Sequence, residues 1–369
     1  MKFTIDRQAL LTPLQSICTV VEKKQTLPIL SNVLLATQGD KLLLTGTDLE
    51  VELIAEANLN SNTEDASITV PARKLLDICK NLPEQSECKF SLTGSRLTLA
   101  TQQSKFTLST QPAGEFPNID TGENATDIMI LESDFKGLLE KTYFAMAQQD
   151  VRYYLNGILL EFNGNQMTAV ATDGHRLAIS HTQLTNTVEN PISIIIPRKG
   201  TLELLRLLNN NDLEIKLQVG DNFICLSLPN LSYTSKLIEG RFPDYKMVIP
   251  KNGNKTLVVG RENLKGALSR AAILSHDKHH GIRTEINDQV QKIFATNAEN
   301  EQSEEELSID FAGSNGIEIG LNVNYLQDVL SVIPSDQVKM TFSDNNSSIL
   351  VESNANDIPI DFLLNIEYF

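Results

Sequence analysis

The chain has 369 residues, 41% hydrophobic and 21% charged, the composition of a folded soluble protein long enough for two or three domains. Forty-seven acidic residues against 31 basic ones give a net charge of -16, which by itself argues against nucleic acid as a partner. No apolar run approaches the roughly 18 residues of a membrane span, residues 1–5 enter a strand pattern with no signal-peptide core, and Cys18, Cys79, Cys88 and Cys225 form no Cys-x-x-Cys pair, so the expectation is a cytoplasmic protein with reduced thiols, no metal and no membrane.

Along the chain, one order of landmarks occurs three times. A helix-opening apolar residue stands at Leu10, Phe135 and Leu264. Thr-Asp or Thr-Asn stands at Thr47-Asp48, Thr172-Asp173 and Thr296-Asn297, a second helix start at Pro71, Pro197 and Asn322, and an aromatic close at Phe116, Phe242 and Tyr368. Steps of about 125 residues far exceed the roughly 20–50 of solenoid units, so they predict three whole domains of one fold. Polar, turn-rich stretches place the seams near 124 and 252, giving domains 1–124, 125–252 and 253–369.

Each domain reads as an opening strand, a helix, two or three strands, a second helix and further strands. Leu10, Leu14, Ile17, Cys18 and Val21 follow helical spacing, as do Leu264, Leu268, Ala271 and Ala272, so one face of each helix is buried. Second helices start at Ala72, Arg198 and Val323, and β-rich runs such as 41–45 and 166–170 lie between helices. The fold class is α+β, two helices per domain on antiparallel sheet. Strand-helix-strands occurs twice per domain, which makes six half-units per chain and twelve in a dimer, a number that suits a closed ring.

Charge is uneven over the helices. Residues 71–82 set Arg73, Lys74 and Lys80 against Asp77; residues 197–211 set Arg198, Lys199 and Arg206 against Glu203; residues 261–280 set Arg261, Lys265, Arg270 and Lys278 against Glu262 and Asp277. Such segments are ordinarily solvated faces, but three of one sign in an acidic protein form a surface for phosphates.

Several motifs have bland readings. Asp173-Gly174-His175-Arg176 contains an Asp and a His two apart, which on a strand share a face without forming a relay, and no nucleophile stands beside them. His276, His279 and His280 have metal-face spacing but no third strong ligand group, so a solvated helix end is the better reading. Tyr153-Tyr154 reads equally as a buried strand pair, and Phe106 and Leu108 alternate on an edge strand. Neither a Gly-x-x-x-x-Gly-Lys loop nor a Gly-x-Gly-x-x-Gly turn is present, so no nucleotide cofactor is expected.

Seven runs in register carry a resemblance: Thr26-Leu27-Pro28-Ile29-Leu30, Thr45-Gly46-Thr47-Asp48-Leu49-Glu50, Val70-Pro71-Ala72-Arg73-Lys74, residues 150–157, residues 171–178, Pro197-Arg198-Lys199-Gly200 and Gly240-Arg241-Phe242-Pro243-Asp244-Tyr245. Together, and with little insertion from Met1 to about Asp361, they resemble the bacterial sliding-clamp family, the beta subunit of DNA polymerase III. The resemblance implies a non-catalytic processivity subunit, a head-to-tail homodimeric ring of six domains around duplex DNA. It implies partners that include a polymerase catalytic subunit, a clamp loader and other replication or repair proteins carrying short linear motifs.

By the same resemblance, Lys24, Arg73, Lys80, Gln148, Gln149, Arg152, Tyr153, Tyr154, Arg198 and Lys199 are DNA-facing. Leu155, Thr172, Gly174, His175, Arg176, Leu177, Pro243, Met247, Val248, Tyr325, Ser348, Leu364, Asn365 and Ile366 belong to a partner-peptide cleft between the second and third domains. Phe106 and Leu108 would meet Ile273 and Leu274 across the subunit interface, with Lys74, Arg96 and Lys105 facing Glu299, Glu301, Glu304 and Glu305. Two departures stand out: the family's Met-Pro-Met-Arg-Leu type of tail is replaced by residues 363–369, Leu-Leu-Asn-Ile-Glu-Tyr-Phe, and Met247 stands where an Arg is common. The rivals to this reading are a hydrolase using Asp48, Asp173 and His175, and a protein-only scaffold.

Overall fold

The computed structural model describes residues 1–21, 27–122, 124–250, 253–276, 279–313, 315–343, 347–355 and 360–364. Among these lie six α-helices, Arg7–Val20 (α1), Ala72–Asn81 (α2), Glu132–Glu140 (α3), Arg198–Leu207 (α4), Arg261–Ala271 (α5) and Val323–Val332 (α6), so each repeat carries its predicted pair. No helix among the described residues is long and apolar enough to cross a membrane.

Compactness does not follow the repeats. One unit comprises Met1–Glu132 and Leu202–Leu237, the other Ser133–Thr201 and Ile238–Phe369, so the middle repeat is divided. In the first unit, strands Lys2–Asp6, Glu87–Thr93, Arg96–Ala100 and Lys105–Ser109 form a four-stranded sheet in that order. A larger sheet runs Asn32–Thr47, Val51–Pro71, Leu231–Lys236, Phe223–Leu228, Glu214–Gly220, Ala125–Leu131. In the second unit the larger sheet runs Asp310–Ala312, Lys255–Gly260, Gln337–Phe342, Ile349–Ser353, Ile360–Leu364, Arg176–Pro197, Gly157–Thr172, and a four-stranded sheet holds Gln302–Ser308, Val290–Thr296, Gly281–Asn287 and Ile317–Asn322. Every pairing is antiparallel, as expected. The sheets nevertheless cross the predicted seams, because an edge strand leaves a row of unpaired N–H and C=O groups that the next repeat satisfies. Leu231–Lys236 of the middle repeat pairs with Val51–Ala55 of the first, and Arg176–Ser180 pairs with Ile360–Leu364 of the third.

Within each repeat the helices are tied together by the first residue of the first helix. The buried Arg7 donates from Nε to Cys79 O at 2.8 Å and from Nη2 to Lys80 O at 3.1 Å, placing a cation on the orphan carbonyls that end α2. Arg261 does the same to α6, donating to Ile333 O at 2.9 Å. In the middle repeat the position is Glu132, which reverses the polarity and accepts from the N–H of Asn209, just beyond α4, at 2.6 Å. Beneath α1, Leu10, Leu14, Ile17 and Cys18 are buried as their spacing predicts, and Val21 is buried one residue past the helix end. Gly46 lies against this face, where a Cβ would stand 2.6 Å from Ile17 Cγ2.

The three cysteines of the first repeat are buried apolar groups. Burial pushes Cys18 and Cys88 from 9.0 up to about 11 and Cys79 up to about 12. An unfolded chain releases these protons near pH 9 and the folded one only well above it, so their contribution to stability is present below pH 9 and is lost as pH rises through 11 to 12. Alkylation at pH 8 followed by mass spectrometry should therefore leave Cys18, Cys79 and Cys88 unmodified in the native protein and label all four thiols in denaturant; native labelling of Cys79 would contradict this packing.

Candidate functional site

The Thr-Asp landmark is a turn device. Asp173 Oδ1 accepts from the N–H groups of His175 and Arg176 at 2.9 and 3.0 Å, while Thr172 Oγ1 accepts from Gly174 N and donates to Arg176 O. Asp48 Oδ1 accepts from Glu50 and Val51 in the same way, and Asn297 Oδ1 from Glu299 and Glu301. A left-handed residue completes each turn: Leu49, Gly174 and Asn300. Residues 173–175 therefore form a turn rather than the expected strand, and Asp173 Oδ1 is spent on backbone.

Only the middle turn carries a guanidinium. Arg176 occupies the place that buried Val51 holds in the first repeat. It donates from Nε to Asp173 at 3.1 Å, from Nη1 to Asp328 of α6 at 2.5 Å and from Nη2 to Phe144 O at 2.7 Å. Its guanidinium also lies 4.5 Å from the Tyr325 ring centroid and 5.3 Å from that of Phe144, a cation–π arrangement on two faces.

Beside this turn opens a cavity of about 230 Å³ lined by Arg152, Leu155, Thr172, Gly174, His175, Arg176, Leu177, Phe242, Pro243, Asp244, Tyr245, Val248, Ser348 and Leu363. Its floor is an apolar cluster that includes Leu155, Leu177, Phe242, Tyr245 and Leu363. Leu177 and Leu363 are register partners on adjacent strands, and a short 3-10 turn, Tyr153–Leu155, delivers Leu155. At the first residue of the strand that follows, Gly157 passes so close to the Ile196 carbonyl that a Cβ would collide with it. Nine of the predicted cleft residues, Ser348 among them, thus meet in one apolar hollow with polar groups at its mouth, suited to apolar anchors of a peptide.

Several of the expected cleft residues stand outside this hollow. Leu364 is buried but does not line the cavity; Leu363 does, because successive residues on a strand face opposite sides. Tyr325 packs its ring against the Arg176 guanidinium and stands 6.3 Å from the His175 ring rather than lining the hollow, and Met247, 80% exposed, lies outside it. Asn365 and Ile366 fall outside the described residues. Phe242, Asp244 and Tyr245 also line the hollow; the sequence marks only Phe242 among them, as an aromatic close.

Of the DNA-facing expectations, Lys24 falls outside the described residues. Tyr153 and Tyr154 sit on a 3-10 turn with Tyr153 56% exposed, which removes the buried-strand alternative. Gln148, Gln149 and Arg152 are exposed nearby. Arg152 donates from Nε and Nη2 to Asp150, holding that carboxyl down at about 2. Arg73 and Lys80 are exposed on α2, while Arg198 and Lys199 are half-buried. Not every helix cation is free for phosphate: Arg206 pairs with Glu203 at 3.0 Å and Arg270 with Glu305 at 2.6 Å.

Of the interface expectations, Ile273 is 78% exposed, Leu274 and Phe106 are half-buried and Leu108 is buried. Lys74, Arg96 and Lys105 are exposed. Among the opposing acids, Glu304 already pairs with Lys292 and Glu305 with Arg270 within the chain, while Glu301 accepts from Asn297. The histidine run begins after α5 has ended at Ala271, so it is not a helix end; the His276 and His279 rings lie 5.2 Å apart, and no cluster of metal-ligating side chains occurs among the described residues.

Family models described as the N-terminal, central and C-terminal domains of the DNA polymerase III beta subunit match residues 1–120, 129–244 and 246–364. The chain is 48% identical to the beta sliding clamp of Pseudomonas aeruginosa over 357 residues, covering 97% of each. It is 44% identical to that of Escherichia coli K12 over 355 residues, covering 96% of each. The crystal structure of the DNA polymerase III subunit beta from Pseudomonas aeruginosa superposes with a TM-score of 0.97 at 46% identity, over 100% of both chains.

The Arg176 network generates an asymmetric prediction. Arg176→Ala removes charged hydrogen bonds from a mostly buried site and should cost about 1.5–3 kcal/mol of stability in urea unfolding. Asp328→Ala removes the more exposed partner and should cost less than about 1 kcal/mol.

Proposed function

The chain belongs to the DNA polymerase III beta subunit family, and on that premise we propose that it is a DNA sliding clamp: a head-to-tail homodimer that encircles duplex DNA and tethers a polymerase for processive replication. Its three domains, with seams near 124 and 252, would join three from the second chain in a six-domain ring. The observation that carries the reading is the convergence of Leu155, Thr172, Gly174, His175, Arg176, Leu177, Pro243 and Val248 on one cavity, the place where polymerase, loader and repair proteins dock their linear motifs. Asp173 is committed to backbone and to Arg176, which supports a processivity factor without catalysis of its own over a hydrolase.

A topological tether needs only weak, mobile phosphate contacts, since tight ones would brake sliding. Arg73, Lys80, Gln148, Gln149, Arg152, Tyr153, Tyr154, Arg198 and Lys199 supply them; the Asp150 partner of Arg152 tempers its charge. At the subunit interface, apolar contact of Phe106 and Leu108 with Ile273 and Leu274 supplies affinity. Lys74, Arg96 and Lys105 opposite Glu299 and Glu301 fix orientation, because exposed pairs contribute only about 0–1 kcal/mol each.

Three outcomes follow. The protein loaded on circular DNA should be retained at high salt and released on linearisation; release from the intact circle would rule out a topological clamp. Replacing both Ile273 and Leu274 by Ala should shift the dimer to folded monomer at micromolar concentration in sedimentation, and an unchanged dimer would move the interface elsewhere. By calorimetry, a short peptide with Leu and Phe anchors should bind the cleft more tightly at low salt when basic residues flank it, since Asp244 lines the cavity and Met247 brings no cation to its rim. Equal affinities would remove the acidic rim.

A further inference from the structure

A second hollow, of about 460 Å³, opens beside the cleft and is lined in part by Glu161, Thr168, His181, Ser193 and Lys246. Tyr245 is the one described residue that lines both hollows. Its ring belongs to the apolar floor of the cleft, while its hydroxyl reaches the other way and donates to Glu161 Oε2 at 2.6 Å. Glu161 stands on Gly157–Thr172 between buried Leu160 and Phe162, so its side chain is aimed outward by a strand whose neighbours are fixed in the core.

The wall that Tyr245 belongs to is anchored in the core by the Phe242 and Tyr245 rings, with Ile249 packed against that core, and is otherwise at the surface. Pro243, Asp244, Lys246, Met247 and Val248 are exposed, and the turn's own hydrogen bonds are long: Lys246 N to Asp244 Oδ1 at 3.3 Å, Met247 N to Asp244 O at 3.3 Å and Val248 N to Tyr245 O at 3.2 Å. The short bond to Glu161 is reinforced only at a distance by Lys246, whose Nζ lies 3.9 Å from the same carboxylate. Burial, and then the Glu161 carboxylate, raise the pKa of the Tyr245 hydroxyl, so it stays a donor at neutral pH.

We propose that Glu161, which does not line the cleft, is a positioning residue for peptide binding: by accepting a hydrogen bond from the Tyr245 hydroxyl it fixes the segment from Phe242 to Val248 as one wall of the cleft. The carboxylate acts as an acceptor, so an amide in its place should serve and a methyl should not. The inference rests on the peptide-cleft reading, and two measurements keep the two apart.

The first is affinity for a fluorescent pentapeptide with Leu and Phe anchors. Glu161→Gln should bind within about twofold of the unaltered chain, whereas Glu161→Ala and Tyr245→Phe should each weaken binding roughly five- to tenfold. The double variant should be no weaker than either single one, as expected for two ends of one bond. The second needs no ligand: amide hydrogen exchange at Met247 and Val248 should quicken in Glu161→Ala and Tyr245→Phe and return to normal in Glu161→Gln. Unchanged exchange and affinity in Glu161→Ala, or a Gln variant as impaired as the Ala one, would overturn the inference. Failure of the peptide to bind the unaltered chain, with exchange behaving as described, would sink the cleft as a peptide site while leaving Glu161 as the anchor of that wall.

Discussion

The antiparallel register that sets Leu177 opposite Leu363 and Leu350 opposite Leu363 is the constraint on which the functional surface depends. It seats Ile360–Leu364 between two other strands, pairs its backbone on both sides and turns Leu363 into the hollow beside Leu177. A slip of one residue would turn every side chain of that strand to the other face, sending Leu363 away and bringing Phe362 or Leu364 in its place. The core resists such a slip, since Phe362 and Leu364 are as buried as Leu363. The cleft is thus a by-product of how two repeats share a sheet, which explains why it draws residues from chain segments far apart.

Charge in this protein is managed locally rather than in bulk. A net charge of -16 would repel DNA if it were spread evenly. Instead the outer strands of the third repeat hold ladders of mutual pairs, Arg283 with Glu318 and Lys292 with Glu304 and Glu306. Such pairs add little stability, but they neutralise charge where it stands. The -16 total, taken alone, points away from the partner that the family requires; the distribution along the helices points toward it.

Repetition also separates scaffold from function. The Asx turn at Asp48, Asp173 and Asn297 and the helix tie at Arg7, Glu132 and Arg261 recur because the same chain path must be closed three times. A feature that recurs in all repeats answers a folding problem; one that stands in a single repeat is where function is to be sought. Arg176 is such a feature. It lines the cleft from a shared turn, yet also reaches α6 and two aromatic rings that stand outside the hollow.

The sequence by itself determined the threefold repeat, the helix pairs and their buried faces, because those depend on local spacing of apolar residues and on turn chemistry within a few positions. It also determined the family, through short motifs whose residues stand in register along the chain. Tertiary structure decided the rest. Two compact units cut across three repeats because unpaired strand edges are satisfied by whichever strand lies beside them in space. Leu363 rather than Leu364 lines the cleft because facing on a strand is set by pairing partners more than 170 residues away. The Tyr245 to Glu161 bond joins residues 84 positions apart and has no signature in sequence; proximity of that kind exists only once the sheet has formed.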